Sequence, residues 1–131
     1  MTDPAQRSEV SALVADDDEM NANLLVRILE SGGFGQVSAT TSSSDVMGLI
    51  AENNPDLLLL DVSMPSPNGF ELLARIAKLE VQPVTVILTG HEHPSIERQA
   101  IELGAAAMVG KTASREVLLA KIDDALAART E

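Results

Sequence analysis

The chain has 131 residues, 45% of them apolar, and a formal net charge of −11; this suits one domain with an adequate core, since single domains most often run to about 100–150 residues. There is no Cys, which removes disulfide frameworks and thiolate metal sites and fits a reducing compartment, while the acidic balance opposes direct nucleic-acid binding, which needs Lys and Arg against phosphates. No apolar run approaches the roughly 18 residues that cross a bilayer, and the start Met1-Thr2-Asp3-Pro4-Ala5-Gln6-Arg7 lacks the apolar segment of a secretion signal, so the expectation is a cytosolic protein with no membrane partner.

The elements alternate from the start. Residues 11–16 form a strand that runs into Asp16-Asp17. Leu24, Leu25, Ile28 and Leu29 then recur at helical spacing before Gly32-Gly33, a helix stop. Gln36 to Thr40 is a weaker strand. Ser42-Ser43-Ser44-Asp45 resembles a capping-box start for a helix carrying Val46, Leu49 and Ile50, which Asn53-Asn54-Pro55 ends. A third strand, residues 56–61, runs into Asp61 and the loop Met64-Pro65-Ser66-Pro67-Asn68-Gly69, followed by a helix with Leu72, Leu73 and Ile76. A fourth, Val84 to Thr89, precedes a helix that opens near Pro94, carries Ile96, Ala100 and Leu103, and closes at Gly104. Residues 105–109 form a small-residue strand before Lys111. The last helix starts near Ser114 and puts Val117, Leu118, Ile122, Ala125 and Leu126 on one face.

Strands that read as continuous apolar runs are buried on both faces, as in parallel sheets. The pattern therefore predicts a (βα)₅ doubly wound parallel sheet in three α/β/α layers, with flavodoxin-like order 2-1-3-4-5. Residues 1–10 are expected as an N-terminal tail, 11–128 as the domain, and 129–131 as a C-terminal end that would begin a linker to an output domain outside this sequence. Ligands in such sheets bind beyond the carboxyl ends of the strands, at the switch in strand order. Asp16, Asp17 and Asp61 should meet there, flanked by Thr89 and Lys111. Clustered carboxylates repel one another unless a cation intervenes, and an all-oxygen site suits Mg²⁺ or Mn²⁺ better than zinc.

These residues, from Ser11 to Leu126, resemble the receiver domain of two-component response regulators: an acidic pair after strand one (Asp16, Asp17), Asp61-Val62-Ser63-Met64-Pro65 after strand three, Thr89 after strand four and Lys111 after strand five. The resemblance implies phosphoryl transfer from a histidine kinase or phosphotransfer protein to Asp61. The metal would be held by Asp17, Asp61 and the Ser63 backbone carbonyl, with Asp16 acting largely through water. Thr89 and Lys111 would then bind the phosphoryl oxygens and move their loops inward, with Gly90 leaving room beside them. His91 lies where the family tunes water access, so with Ser63 it is a candidate modulator of hydrolysis. The product would be a signalling switch rather than an enzyme acting on a separate substrate, with an output domain or protein downstream. A homodimer through helix four, strand five and helix five is the family's usual association.

Three positions depart from that pattern. Lys111 precedes Thr112 where the family has proline, often after a cis bond; a cis bond before a non-proline costs about 2.5–4 kcal/mol, so a trans bond is expected. Met108 stands where Tyr or Phe is usual, and its flexibility suits a softer switch. Asn68 stands where many relatives carry Asp, with a local turn effect expected. Asp18 and Glu19 read as helix-start acids rather than ligands, and His91-Glu92-His93 as loop residues rather than a metal site. Two rival functions remain. One is a phosphorylation-independent pseudo-receiver, favoured by Thr112 and Met108. The other is a haloacid-dehalogenase-type phosphohydrolase, since Asp16-Asp17-Asp18 also spells D-x-D, although Asp123-Asp124 fall inside a helix and no cap segment is present. The start of helix one and the 119–129 tail are also similar to receivers joined to HD-GYP cyclic-di-GMP phosphodiesterases.

Overall fold

The structure is a computed structural model that describes residues 6–91 and 93–129. Five strands and five helices alternate: β1 Ser11–Ala15, α1 Glu19–Ser31, β2 Gln36–Thr40, α2 Val46–Asn53, β3 Leu57–Asp61, α3 Gly69–Ile76, β4 Val84–Thr89, α4 Pro94–Glu102, β5 Ala107–Gly110 and α5 Arg115–Arg129. The strands are all parallel, in the order β2-β1-β3-β4-β5. The expected topology therefore holds, and its switch lies between β1 and β3.

Alternation along the strands divides the core into two layers. Leu57 and Leu59 of β3, with Val86 and Leu88 of β4, face α1 and α5 and pack on Leu25, Leu29, Leu118 and Ile122. Leu58, Leu60 and Ile87 face the other way, onto Val46, Ile50, Leu72, Leu73, Ile76 and Ala100 of α2, α3 and α4. All five residues of β3 are buried, whereas β2, at the sheet edge, has no fully buried residue. The central strand thus carries Asp61 on the most enclosed part of the fold.

Several local expectations are corrected. The start of α2 has no capping box. Ser43–Asp45 form a 3₁₀ turn and the Asp45 N-cap makes no side-chain cap bond, because the hydroxyls serve elsewhere: Ser43 donates to the Pro65 carbonyl at 2.9 Å and Ser42 pairs with Ser44. A capping box stands instead at α3, between Asn68 and Glu71. Strand five begins at Ala107 rather than 105, since Ala105 and Ala106 turn out of α4 with their N–H groups on Ala100 and Thr85. Leu24 and Val117, assigned to inward faces, are exposed, while Leu119 is buried. Part of the expected tail is also built in: Gln6–Glu9 form a 3₁₀ turn, and the buried Arg7 grips Asp123 of α5 with two nitrogens, one at 3.0 Å. Arg7 also donates to the Gly32 carbonyl at 2.8 Å and lies over the Phe34 ring.

Candidate functional site: an acidic pocket at the strand ends

Each helix start in this region is set by its own residues. Asp18 caps α1, its carboxylate accepting the N–H groups of Met20 and Asn21, as expected of a helix-start acid. Asn68 and Glu71 fix α3 reciprocally, the Asn68 carboxamide oxygen accepting the Glu71 N–H and the Glu71 carboxylate the Asn68 N–H. A Cβ at Gly69 would come within 2.6 Å of the Val62 backbone, so only glycine lets α3 start against the segment that follows Asp61. Asn68 therefore does more than shape a turn.

Parallel register brings the strand ends level. Val14 pairs with Leu59, Asp61 with Leu88, and Thr89 with Gly110. Asp16, one residue past β1, and Asp61 have fully enclosed side chains, while Asp17 is exposed. One carboxylate oxygen from each of the three lies within 4.8 Å of the others. Lys111 closes the pocket from the β5–α5 side. Its ammonium donates to Asp61 Oδ2 at 2.9 Å and lies 3.6 Å from Asp16 Oδ2. The second Asp61 oxygen accepts the Ser63 N–H at 3.0 Å and hydroxyl at 2.8 Å. Asp16 accepts the Asp18 N–H on Oδ1 at 3.0 Å and the Asn21 carboxamide on Oδ2 at 2.6 Å.

The two buried carboxylates are tuned in opposite directions. Burial works to raise the Asp61 carboxyl, but the Lys111 ammonium and then the Ser63 N–H and hydroxyl outweigh it and hold the group below the usual carboxylate value. Burial pushes the Asp16 carboxyl up; the Asp18 N–H and Asn21 offset only part of this, and the negative charge of Asp61 adds to the rise. Burial opposes the Lys111 charge, yet Asp61, with Asp16 and Asp17 behind it, holds the ammonium above its ordinary value.

Thr89 is buried and engaged with its own loop, donating to the His91 carbonyl at 3.0 Å and accepting the His91 N–H at 3.0 Å. The His91 side chain is exposed. A Cβ at Gly90 would meet no atom within 4 Å, so there is room beside Thr89. The Lys111 N–H bonds the Thr89 carbonyl at 2.7 Å, tying both loops together. Among the described residues the cis peptide is Ser66–Pro67, so Lys111–Thr112 is trans as expected. Met108 is buried at 7% exposure among Leu58, Ile87 and Ala100. His93 accepts the Ser95 N–H at the start of α4, a capping role rather than a metal site.

Sequence reasoning missed Asn21 and the hydroxyl of Ser43. Asn21 had a faint signal, a polar carboxamide in the first turn after the acidic pair; Ser43 had none, since its partner Pro65 is 22 residues away. The structure also disfavours the phosphohydrolase rival. Asp18, the second acid of D-x-D, caps α1, and Asp123 pairs with Arg7 beside the C-terminal end of α1, away from the pocket.

A profile of the response regulator receiver domain matches residues 12–123. This chain belongs to the response regulator receiver domain family. It is 31% identical over 125 residues to the probable transcriptional regulatory protein NarL of Mycobacterium tuberculosis, an alignment covering 94% of this chain and 57% of NarL. It is 32% identical over 97 residues to the transcriptional regulatory protein LytR of Staphylococcus aureus, covering 73% of this chain and 39% of LytR. The chain thus spans about half the length of these relatives. A LuxR-family DNA-binding response regulator from Staphylococcus aureus superposes with a TM-score of 0.82 at 30% identity, covering 89% of this chain and 98% of that one. Among the described residues no helix is long and apolar enough to cross a membrane.

Proposed function

We propose that this domain is a cytoplasmic phosphorylation switch in which Asp61 accepts a phosphoryl group from a histidine kinase or phosphotransfer protein. The observation that carries the reading is the Lys111 ammonium 2.9 Å from Asp61 inside a cluster of three carboxylates. In the transfer, an Asp61 oxygen attacks phosphorus as the P–N bond to the donor's histidine breaks and its electron pair returns to the imidazole. Phosphoryl transfer asks chiefly for in-line placement and positive charge on the peripheral oxygens. The Ser63 N–H and hydroxyl hold one Asp61 oxygen, fixing the rotamer of the nucleophile, and Lys111 supplies charge on the other side.

The donor set fits a hard divalent cation, because it offers carboxylate oxygens in reach of one another with Asp17 open to solvent. Asp17, Asp61 and the Ser63 carbonyl would hold Mg²⁺ or Mn²⁺, with Asp16 acting largely through water. When bound, such an ion neutralises charge on the phosphoryl oxygens. The acyl phosphate is prone to hydrolysis, so the modification is a timed signal, with Ser63 and His91 placed to influence its loss. The domain turns over no separate substrate.

For switching, the Thr89 hydroxyl leaves its own loop and donates to a phosphoryl oxygen while Lys111 pairs with another, drawing both loops inward. Met108 is already inside the core, so this movement repacks a flexible side chain instead of turning in an exposed aromatic. The output is a changed surface read by a further domain or protein, with α4, β5 and α5 as the face for a second copy, and no direct nucleic-acid contact by this acidic domain. Intact-mass analysis after incubation with acetyl phosphate and Mg²⁺ tests the reading. A single adduct, lost in Asp61→Asn and without metal, supports it. No adduct together with no measurable Mg²⁺ binding would favour a pseudo-receiver that works without phosphorylation, the reading that Thr112 and Met108 leave open.

A further inference from the structure

Lys111 sits between two enclosed carboxylates but does not share itself equally, standing 2.9 Å from Asp61 and 3.6 Å from Asp16. Charge alone does not explain the preference, since both partners are ionisable aspartates with no exposed side-chain surface. The difference lies in who else serves each oxygen. The Asp61 oxygen facing the lysine, Oδ2, has Lys111 as its donor, the Ser63 groups being on Oδ1. The Asp16 oxygen nearest the lysine is already held at 2.6 Å by the Asn21 carboxamide. An ionised carboxylate only accepts, so it is the amide nitrogen that faces Asp16.

Asn21 can do this because of how α1 starts. It occupies the third helical position, where the side chain of a capping box would return to the N–H of the N-cap residue. Here that N–H, on Asp18, goes to Asp16 Oδ1, and the Asn21 side chain reaches Asp16 Oδ2. Asp16 thus stands where the box's own third residue would. Its carboxylate is held on both oxygens by the first turn of α1, itself pinned by the Asp18 cap on the Met20 and Asn21 N–H groups. Asn21 and Lys111 also line the same small cleft between α1 and the β5–α5 turn, and both approach the same oxygen, Asp16 Oδ2, at 2.6 and 3.6 Å.

We propose that Asn21 is a positioning residue for Asp61 chemistry: by holding Asp16 Oδ2 it keeps Lys111 committed to the acceptor aspartate. Without the carboxamide, Asp16 becomes the needier partner and draws the ammonium away from Asp61. This rests on the reading of Asp61 as phosphoacceptor. Asn21 touches neither the phosphoryl donor nor the reacting oxygen, and acts through Asp16 and Lys111.

The test uses the full chain with Asn21→Leu, which keeps the volume without the donor, and Asn21→Ala, which adds no apolar bulk; thermal unfolding identifies which of them are folded. Crystal structures of the metal-free variants are expected to show Lys111 Nζ nearer Asp16 than Asp61. The initial rate of adduct formation from acetyl phosphate at saturating Mg²⁺ is expected to fall by about tenfold or more, a misplacement of about 1 Å being able to cost about 10²-fold. On a Lys111→Ala background the same substitutions should produce no further loss, because the lysine they act through is gone. A lysine that stays on Asp61 in the variants, or an equal fold-loss with and without Lys111, overturns the proposal. If the wild-type chain takes no phosphoryl group on Asp61, the phosphoacceptor reading fails, and the lysine position in the crystals still decides the role of Asn21.

Discussion

Lys111 is the only described cation close to the two enclosed aspartates, and its removal would leave both uncompensated. Lys111→Met should destabilise the metal-free domain by about 1–3 kcal/mol at neutral pH. The pH dependence has a definite sign. Asp61 is held below its ordinary value in the fold, so its ionisation contributes stability above the unfolded carboxylate range and loses it as pH falls through the folded value. Without the lysine that contribution disappears and burial dominates, so the variant gains relative to the wild type on acidification. Urea titrations in chelator at pH 7 and near pH 4 should show the gap narrowing; a gap that widens in acid would contradict this account. Thr89 makes a different prediction. Its hydroxyl is engaged with the His91 segment, both donating and accepting there, so Thr89→Ala should leave adduct formation within a few-fold of wild type. The same variant should reduce the amide chemical-shift changes that phosphorylation produces in residues 89–95.

Helix α3 decides where the segment after Asp61 runs. Its capping box, Asn68 with Glu71, spans Gly69, and Gly69 lies immediately against Val62. Asn68→Ala removes the cap and should cost about 1 kcal/mol, read in thermal unfolding, with little effect on the pocket. Gly69→Ala is more disruptive. Its Cβ would press on the Val62 backbone at 2.6 Å, and backbone cannot swing aside as a side-chain tip can, so the Ser63 turn must shift. Destabilisation of about 2 kcal/mol or more, within the range of overpacking, should come with slower adduct formation. If Gly69→Ala were as mild as Asn68→Ala, the close approach would not be what demands glycine here.

Across the whole molecule, α5 is fastened to the body at three levels: Arg115 donates to Ser31, Arg7 grips Asp123, and Arg129 donates to the Asp56 carbonyl. The Arg7 contact is the most enclosed, and Gly35 fits beneath it because a Cβ there would strike the Ser8 carbonyl. Residues 6–10 are therefore part of the folded body, even though the family match begins at residue 12. A double-mutant cycle of Arg7→Ala and Asp123→Ala should give a coupling of about 1–3 kcal/mol in denaturant unfolding, as expected of a largely buried pair. Additivity would show that the segment merely rests on α5.

The topology was legible in the sequence because parallel strands buried on both faces spell themselves as apolar runs, and Leu57 to Leu60 leave little room for another reading. The pocket was legible for a related reason: a residue that ends such a run must stand at the carboxyl edge of the sheet, and strand order alone then sets Asp16, Asp17, Asp61, Thr89 and Lys111 around one point. Helix faces were less legible. Leu24 and Val117 share the spacing of buried neighbours yet lie exposed, because the width of a covered stripe depends on what packs against it. The Ser42-Ser43-Ser44-Asp45 start failed as a capping box because a distant carbonyl, that of Pro65, claims the Ser43 hydroxyl. The Arg7 grip on Asp123 spans 116 residues and the Lys111 bond to Asp61 spans 50. The sequence by itself determined which strand-end groups reach the pocket, the three aspartates, Thr89 and Lys111, since hydrophobic period and strand order are local and repetitive properties. Only the tertiary structure decided how those groups divide their hydrogen bonds, with Asn21 on Asp16, Lys111 on Asp61 and Thr89 on its own loop, because each of those choices is a competition between partners that meet only once the chain has folded.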